Sequence, residues 1–454
     1  MTHDRLACAV VIGSGICGLA AARVLSDHFE RVVLVERDDL SGERGRRGVP
    51  QARHVHGLLA RGGQHLEELF PGLRDELRSA GGPLFDHGEM APTRVWAGAI
   101  PPVRSGVLAH AFSRDLLESR IRTRVVALPS VELRAGTAVE ELHLEGGRVA
   151  GVRVRTAAAD GEKGHSEVLE ADLVVDASGR FSALPDWLEK AGFPRPRETV
   201  VDAGLAYATR TFTAPPQAYW GLQQINQAPE HPRGVYVAGV EQGRWIVTLF
   251  GAADDHPPAD EEGWLEFARS LGNLHLDRLL DAATPEPGVH RFTRTQNRRV
   301  EYAALTRRPD RLIAIGDSVC AFNPVYGQGM TVSVLQTVAL GRHLERARTR
   351  GLDGMARRYQ REIARLIRLP WLMSTSEDLI WQHHREGKAL PALLRASNWY
   401  KQRLLYLAVH DPEVFRLFLR VYHMLAPTAA MAGPRILAKV IFNGESPAAQ
   451  RAVN

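Results

Sequence analysis

The stretch "ACAVVIGSGICGLAAARVLSDHFERVVLVERDD", residues 7–39, decides the fold. A β-forming run from Ala9 to Ile12 enters G-x-G-x-x-G at Gly13, Gly15 and Gly18. An Ala/Leu-rich helix is expected from Leu19 to about Ser26, and a second strand, "RVVLVE", ends at Glu36. Gly13 permits the tight turn, Gly15 lets a pyrophosphate approach the backbone, and Gly18 lets helix and strand pack closely. The helix N-terminus then turns its positive dipole towards the phosphates. Glu36 stands eighteen residues after Gly18, where a carboxylate accepts bonds from ribose hydroxyls. An acid there favours an unphosphorylated ribose, and so FAD or NAD over NADP. The bland alternative is a glycine-rich turn in an unrelated α/β domain.

A second glycine cluster, "GDSVCAFNPVYGQGM" at 316–330, follows the apolar strand "DRLIAIGD" (310–317) and precedes the helical stretch "MTVSVLQTVALGRHLERA". Asp317 falls at the carboxyl edge of a parallel sheet, where ligands of such folds bind. Gly327 and Gly329 leave amide groups free at a helix start, able to meet a planar ring or an anionic oxygen. FAD is long and needs contacts at both ends, whereas an NAD-dependent dehydrogenase needs only the first cluster. The pair of clusters selects FAD.

The chain has 454 residues, enough for two or three packed domains. It is 44% hydrophobic and 24% charged, an ordinary globular composition. Its formal charge of +5, from 57 Lys+Arg against 52 Asp+Glu, is too small to argue for a nucleic-acid partner. Three cysteines, Cys8, Cys17 and Cys320, lack metal-ligand spacing and fit a reducing, cytoplasmic location. No signal peptide and no transmembrane helix are expected.

These segments, with "RRGVPQARHVHGLL" (46–59), "FSRDLLESRIR" (112–122) and "VVDASGRFSALPDWL" (174–188), occur in an order that resembles the flavoprotein monooxygenases of the aromatic-hydroxylase fold. Within them the chain is similar to the actinobacterial branch related to squalene epoxidase and the polyether-antibiotic epoxidases. The resemblance implies that Arg114 contacts FAD, that Asp317 binds its ribityl or phosphate part, and that Gly327 and Gly329 line the flavin ring. The expected cofactor residues are Gly13, Ser14, Gly15, Gly18, Glu36, Arg37, Arg53, Arg114, Asp317, Pro324, Gly327, Gly329 and Met330. No catalytic acid or base is identified, and no metal ligand. For Arg114 the competing reading is an exposed helix arginine beside Asp115 and Glu118.

The sequence departs from that family in places. Its D-G-x-x-S-x-x-R motif appears as "SGRFSALP", with Ser178 for the aspartate and Pro185 for the arginine, which puts direct NADPH use in doubt. Electrons come either from NAD(P)H docking in an open cleft or from a partner flavin reductase. Cys320 replaces the histidine of G-D-A-A-H and is expected to be a buried structural thiol. The basic stretch "GERGRRGVPQARHVH" (42–56) reads as a solvated loop, as an anion site for nucleic acid, or, in preference to that site, as a loop returning to the flavin, with Arg53 near the cofactor and His54 or His56 near the reaction chamber. "WAGAIP" (96–101) is faintly similar to the W-x-W-x-I-P of halogenases, but Gly98 replaces the second tryptophan and the segment comes too early in the chain.

Between 195 and 305, "GLAYATRTFTA", "RGVYVAGVEQGRWIVTLFGA" and "HRFTRTQNRRVEYA" alternate as antiparallel strands, with "EQGR" as a hairpin turn. Their aromatics, Tyr207, Tyr219, Trp220, Tyr236 and Trp245, read mostly as sheet packing. The chain after 355 is helical, and the amphipathic "FRLFLRVYHML" reads as a lid over a hydrophobic substrate in preference to a membrane-surface helix.

The expected fold is therefore α/β plus α+β. A Rossmann-type FAD-binding domain (1–85, 105–190 and 300–350) carries an inserted antiparallel-sheet substrate domain (86–104 and 191–299) and a C-terminal helical region (351–454). The expected function is insertion of one oxygen atom from O2, through a flavin C4a-hydroperoxide, into a small lipophilic substrate of polyketide or terpenoid type. A cyclase with structural FAD and a two-electron reductase or dehydrogenase are the alternatives.

Overall fold

Why the first strand is apolar throughout becomes clear from its neighbours. The computed structural model describes residues 6–40, 50–157, 164–443 and 445; the basic run 42–49 lies outside them. Strand Leu6–Ile12 is the middle of a five-stranded parallel sheet, between Phe29–Val35 and Leu173–Asp176, with Val131–Arg134 and Leu312–Ala314 at the edges. Val10 pairs with Val33 on one side and Val174 on the other. All are buried, as expected where helices cover both faces of a parallel sheet.

The helix after the glycine turn spans Ile16–Leu25, starting three residues earlier than the sequence reading placed it. Gly18 sits inside this helix because a Cβ there would lie 1.9 Å from the Gly13 carbonyl oxygen. The long helix Gly329–Arg350 packs beside it. Glu36 follows directly on the second strand.

The mid-chain strands form a separate, mostly antiparallel sheet. Its centre is Ala206–Thr213, Arg244–Gly251 and Arg233–Gly239, paired in that order. The "EQGR" segment makes the hairpin turn with Gln242 and Gly243 at φ 63° and 69°, the left-handed geometry that matches strand twist. Helices Glu261–Ser270 and Leu274–Ala282 cover one face, burying Trp264 completely, and its indole N–H reaches the Ala208 carbonyl at 3.0 Å. Tyr219, Trp220 and Trp245 pack as rings in and beside this sheet, as expected of sheet aromatics. Two three-residue strands, Thr93–Val95 and Gly98–Ile100, extend the far edge. Strand Asn297–Val300 instead joins Glu198–Val201 and Cys320–Ala321 in a small bridging sheet.

The C-terminal helices Met355–Arg385, Ala392–His410, Pro412–Tyr422 and Pro434–Asn443 pack on both sheets. Pro412–Tyr422 turns Val414, Phe415 and Leu419 inward. No helix among the described residues is long and apolar enough to cross a membrane.

Candidate cofactor and substrate cleft

Both glycine clusters open on one cleft of about 400 Å³. Gly13, Gly15 and Ile16 line it from the first helix, and Gly327, Gly329 and Met330 from the second. Neither helix has a side-chain N-cap. In the first, the earliest intrahelical bond is Leu19 N–H to the Gly15 carbonyl, so the amides ahead of it have no intrahelical partner. Two positive helix ends therefore face one space. A Cβ on Gly15 would meet only the Arg114 guanidinium, at 4.0 Å, so the missing side chain leaves an open cradle rather than a tight turn. Gly13 is different: its φ is 94° and a Cβ would press on the Ala177 carbonyl at 2.7 Å.

Glu36 and Arg37 also line the cleft. One Glu36 carboxylate oxygen accepts from the Ser14 amide and hydroxyl at 2.8 and 2.9 Å, and the other from the Asp38 amide at 3.0 Å. Ser14 is thus buried behind Glu36, orienting it, and is not itself on the cleft wall. Gly18 likewise belongs to helix–strand packing. Arg114 opens its helix beside a Ser113 N-cap and lines the cleft with only 13% of its side chain exposed. Its Nε is buried without a hydrogen-bond partner, 3.6 Å from Glu118, so the exposed-helix reading does not hold.

Asp317 and Pro324 complete the expected set on the wall. Burial pushes the Asp317 carboxyl up, while Arg180 and Arg114 pull it back. Arg53 does not line the cleft; its guanidinium donates to His290 Nδ1 at 3.1 Å. Its neighbours do: His54 and His56 both stand on the wall. His56 Nδ1 lies 2.8 Å from the His54 carbonyl. A carbonyl only accepts, so Nδ1 carries the proton and Nε2 a free lone pair. Burial, then Arg114, lowers the His56 pKa to about 3, so the ring stays neutral.

Several wall residues escaped the sequence reading. Arg180, the variable position of the "SGRFS" motif, donates to the Gln296 and Phe322 carbonyls at 2.5 and 3.0 Å. Buried Asp176 accepts both the Ser178 and Ser182 hydroxyls. Tyr207, read as sheet packing, lines the cleft with Phe292 and Phe322. Exposed Phe181 at the rim is covered by Arg294, 5.0 Å from the ring centre. Cys320 is a buried free thiol. Cys17, which sequence reasoning left aside, lines the cleft, and burial raises its pKa to about 12.

An unfilled glycine cradle, two helix ends without side-chain caps, a buried arginine nitrogen that makes no hydrogen bond and a carboxylate on the cleft wall fit an extended, anionic dinucleotide. The comparison with known families agrees: the chain belongs to the family described as FAD binding domain, which matches residues 7–368. Protein Rv3254 of Mycobacterium tuberculosis is 35% identical over 431 residues, covering 92% of this chain and 89% of that protein. Kynurenine 3-monooxygenase of Salinispora tropica is 26% identical, with 73% of this chain and 71% of the enzyme covered. Squalene epoxidase 1 of Arabidopsis thaliana is 28% identical but matches only 40% of this chain and 32% of its own. Among solved structures, p-nitrophenol 4-monooxygenase PnpA from Pseudomonas putida superposes with a TM-score of 0.63 at 18% identity, covering 92% and 98% of the two chains. That last likeness shows the shared fold.

Proposed function

We propose that this protein is an FAD-dependent monooxygenase that places one oxygen atom, by epoxidation or hydroxylation, on a lipophilic substrate. The observation that carries the cofactor assignment is the pairing of two uncapped helix ends with an open Gly15 cradle on one cleft. In this reading the Gly15 and Ile16 amides and Arg114 hold the pyrophosphate. Glu36, fixed by Ser14, accepts from the adenosine ribose, while Asp317 accepts from the ribityl chain. Gly327 and Gly329 admit the flavin ring. When bound, FAD would supply the two electrons that split O2, one oxygen atom going to carbon and the other leaving as water.

The chain's own contribution is orientation and exclusion of water. Tyr207, Phe292, Phe322 and Pro324 give the inner wall an apolar character suited to a lipophilic molecule. The kynurenine hydroxylase relative supports oxygen insertion, and the partial squalene-epoxidase match leaves epoxidation as one of two outcomes. Electrons arrive from NAD(P)H or from a partner reductase.

Asp317→Ala tests the assignment. The variant should fold and lose its flavin on purification; full flavin occupancy would contradict the cofactor reading. Turnover under labelled O2 then separates this function from a cyclase or a two-electron reductase, because neither of those places the label in product.

A further inference from the structure

His54 is joined to the antiparallel sheet by a chain of hydroxyl groups. Its Nδ1 lies 2.7 Å from the Thr209 hydroxyl, and Thr209 lies 2.8 Å from the Thr248 hydroxyl across the strand pair. The Val55 amide donates to Thr248 at 3.0 Å. All three side chains are buried. Each hydroxyl has one proton, so the chain can run in two directions only. If His54 Nδ1–H donated to Thr209, then Thr209 would donate to Thr248, and the Thr248 proton would have no acceptor among the described residues. Run the other way, Thr248 donates to Thr209 and Thr209 donates to an unprotonated Nδ1, so both hydroxyl protons are used and the remaining proton, on Nε2, belongs to the ring that lines the cleft. A buried unmade hydrogen bond is costly, so the second direction wins.

The imidazole is then the Nε2–H tautomer. Nε2 has no partner among the described residues, and His54 lines the cleft with Tyr207 and Phe292, whose ring centres lie 5.8 and 5.6 Å from its own. We propose that His54, locked by Thr209 and Thr248, is the hydrogen-bond donor of the substrate chamber and selects ligands that present an acceptor oxygen to its Nε2–H. This rests on reading the cleft as a substrate chamber, and it narrows the lipophilic substrate to an oxygenated one. A bare hydrocarbon would leave Nε2–H desolvated and unpaired; a carbonyl oxygen between the two rings satisfies it.

The donor stays neutral across the physiological range. Burial first, then His290 and Arg53, hold the His54 pKa down at about 4. The hydroxyl chain and the charge environment therefore act in the same direction, one fixing the proton's place and the other keeping the count at one.

The test uses purified flavoprotein and two probes with the same ring skeleton, 1-tetralone and tetralin, of which only the first has a carbonyl. Binding is read from perturbation of the flavin spectrum. Wild type should prefer tetralone by about ten-fold or more, the equivalent of one good hydrogen bond. Thr209→Ser should keep that preference; Thr209→Val and His54→Leu should bring the two probes within about two-fold. Nitrogen-15 NMR of histidine-labelled protein reads the tautomer without needing the flavin, and the His54 signal, assigned by its loss in His54→Leu, should be Nε2–H. An Nδ1–H tautomer, equal affinity for the two probes, or binding of neither by yellow protein would each overturn the proposal. A colourless wild-type protein would count against the FAD reading, and the NMR result would still judge His54.

Discussion

Gly15 and Gly18, three positions apart in one motif, are glycines for unlike reasons, and substitutions should separate them. A side chain at Gly15 enters open space beside Arg114. Gly15→Val should therefore fold with little change in melting temperature and lose its flavin. At Gly18 even a methyl group lies 1.9 Å from a backbone oxygen; Gly18→Ala should be destabilised by about 3 kcal/mol or more, as overpacking of a rigid site is, and recovered largely insoluble. Thermal melts and flavin absorbance on the two proteins check this. If Gly15→Val keeps its flavin, the cradle is not a phosphate site. At this scale the motif was legible because its glycine spacing is set by covalent geometry and close approach. Arg180 was not, since its partners are carbonyls 116 and 142 residues away and no spacing rule encodes them. Arg53 points to His290 on the antiparallel sheet, a partner 237 residues away that no local pattern encodes.

Strands Leu6–Ile12, Phe29–Val35 and Leu312–Ala314 announced themselves as apolar runs and those of the larger sheet by alternation, whereas Val131–Arg134, with Glu132 and Arg134 in it, has no such pattern. Strands Thr93–Val95 and Gly98–Ile100 are too short to show a period, and only the Gly221–Gln224 strand beside them makes them visible. The amphipathic helix Pro412–Tyr422 was recognisable, but its anchoring was not. The Ala60 amide donates to His423 Nδ1 at 3.0 Å, so His423 Nε2–H donates to His87 at 2.9 Å, while Arg416 reaches the Arg104 carbonyl. Burial lowers the His87 pKa to about 4, against a smaller opposing pull from Asp86, and pushes His423 well below its ordinary value. Between pH 6.5 and about 4 the unfolded chain binds a proton at His87 that the folded chain refuses, so folded stability falls as pH falls through that window. The slope reaches roughly 1.4 kcal/mol per pH unit for one such group. His87→Gln should lose stability less steeply than wild type between pH 7 and pH 5 in urea titrations. Parallel loss in the two proteins would place the acid-sensitive group elsewhere.

At the scale of the whole molecule, the parallel sheet brings two glycine clusters some three hundred residues apart to one edge, and the second sheet closes the far side with Tyr207 and Phe292. The C-terminal helices hold Tyr422 against Gly327, its hydroxyl 3.4 Å from where a Cβ would stand. Fold class was readable from pattern because periodicity and connection lengths determine it. The lining of the inner chamber was not, because those residues meet only through tertiary packing. The role proposed for this cleft is to hold an FAD that works with oxygen. The direct measurement is to reduce the purified yellow protein anaerobically, mix it with oxygenated buffer and follow the flavin spectrum. Rapid reaction with O2 and a return of the yellow colour in two separable phases are expected. A protein without flavin, or a reduced flavin that oxygen leaves unchanged, would contradict that role.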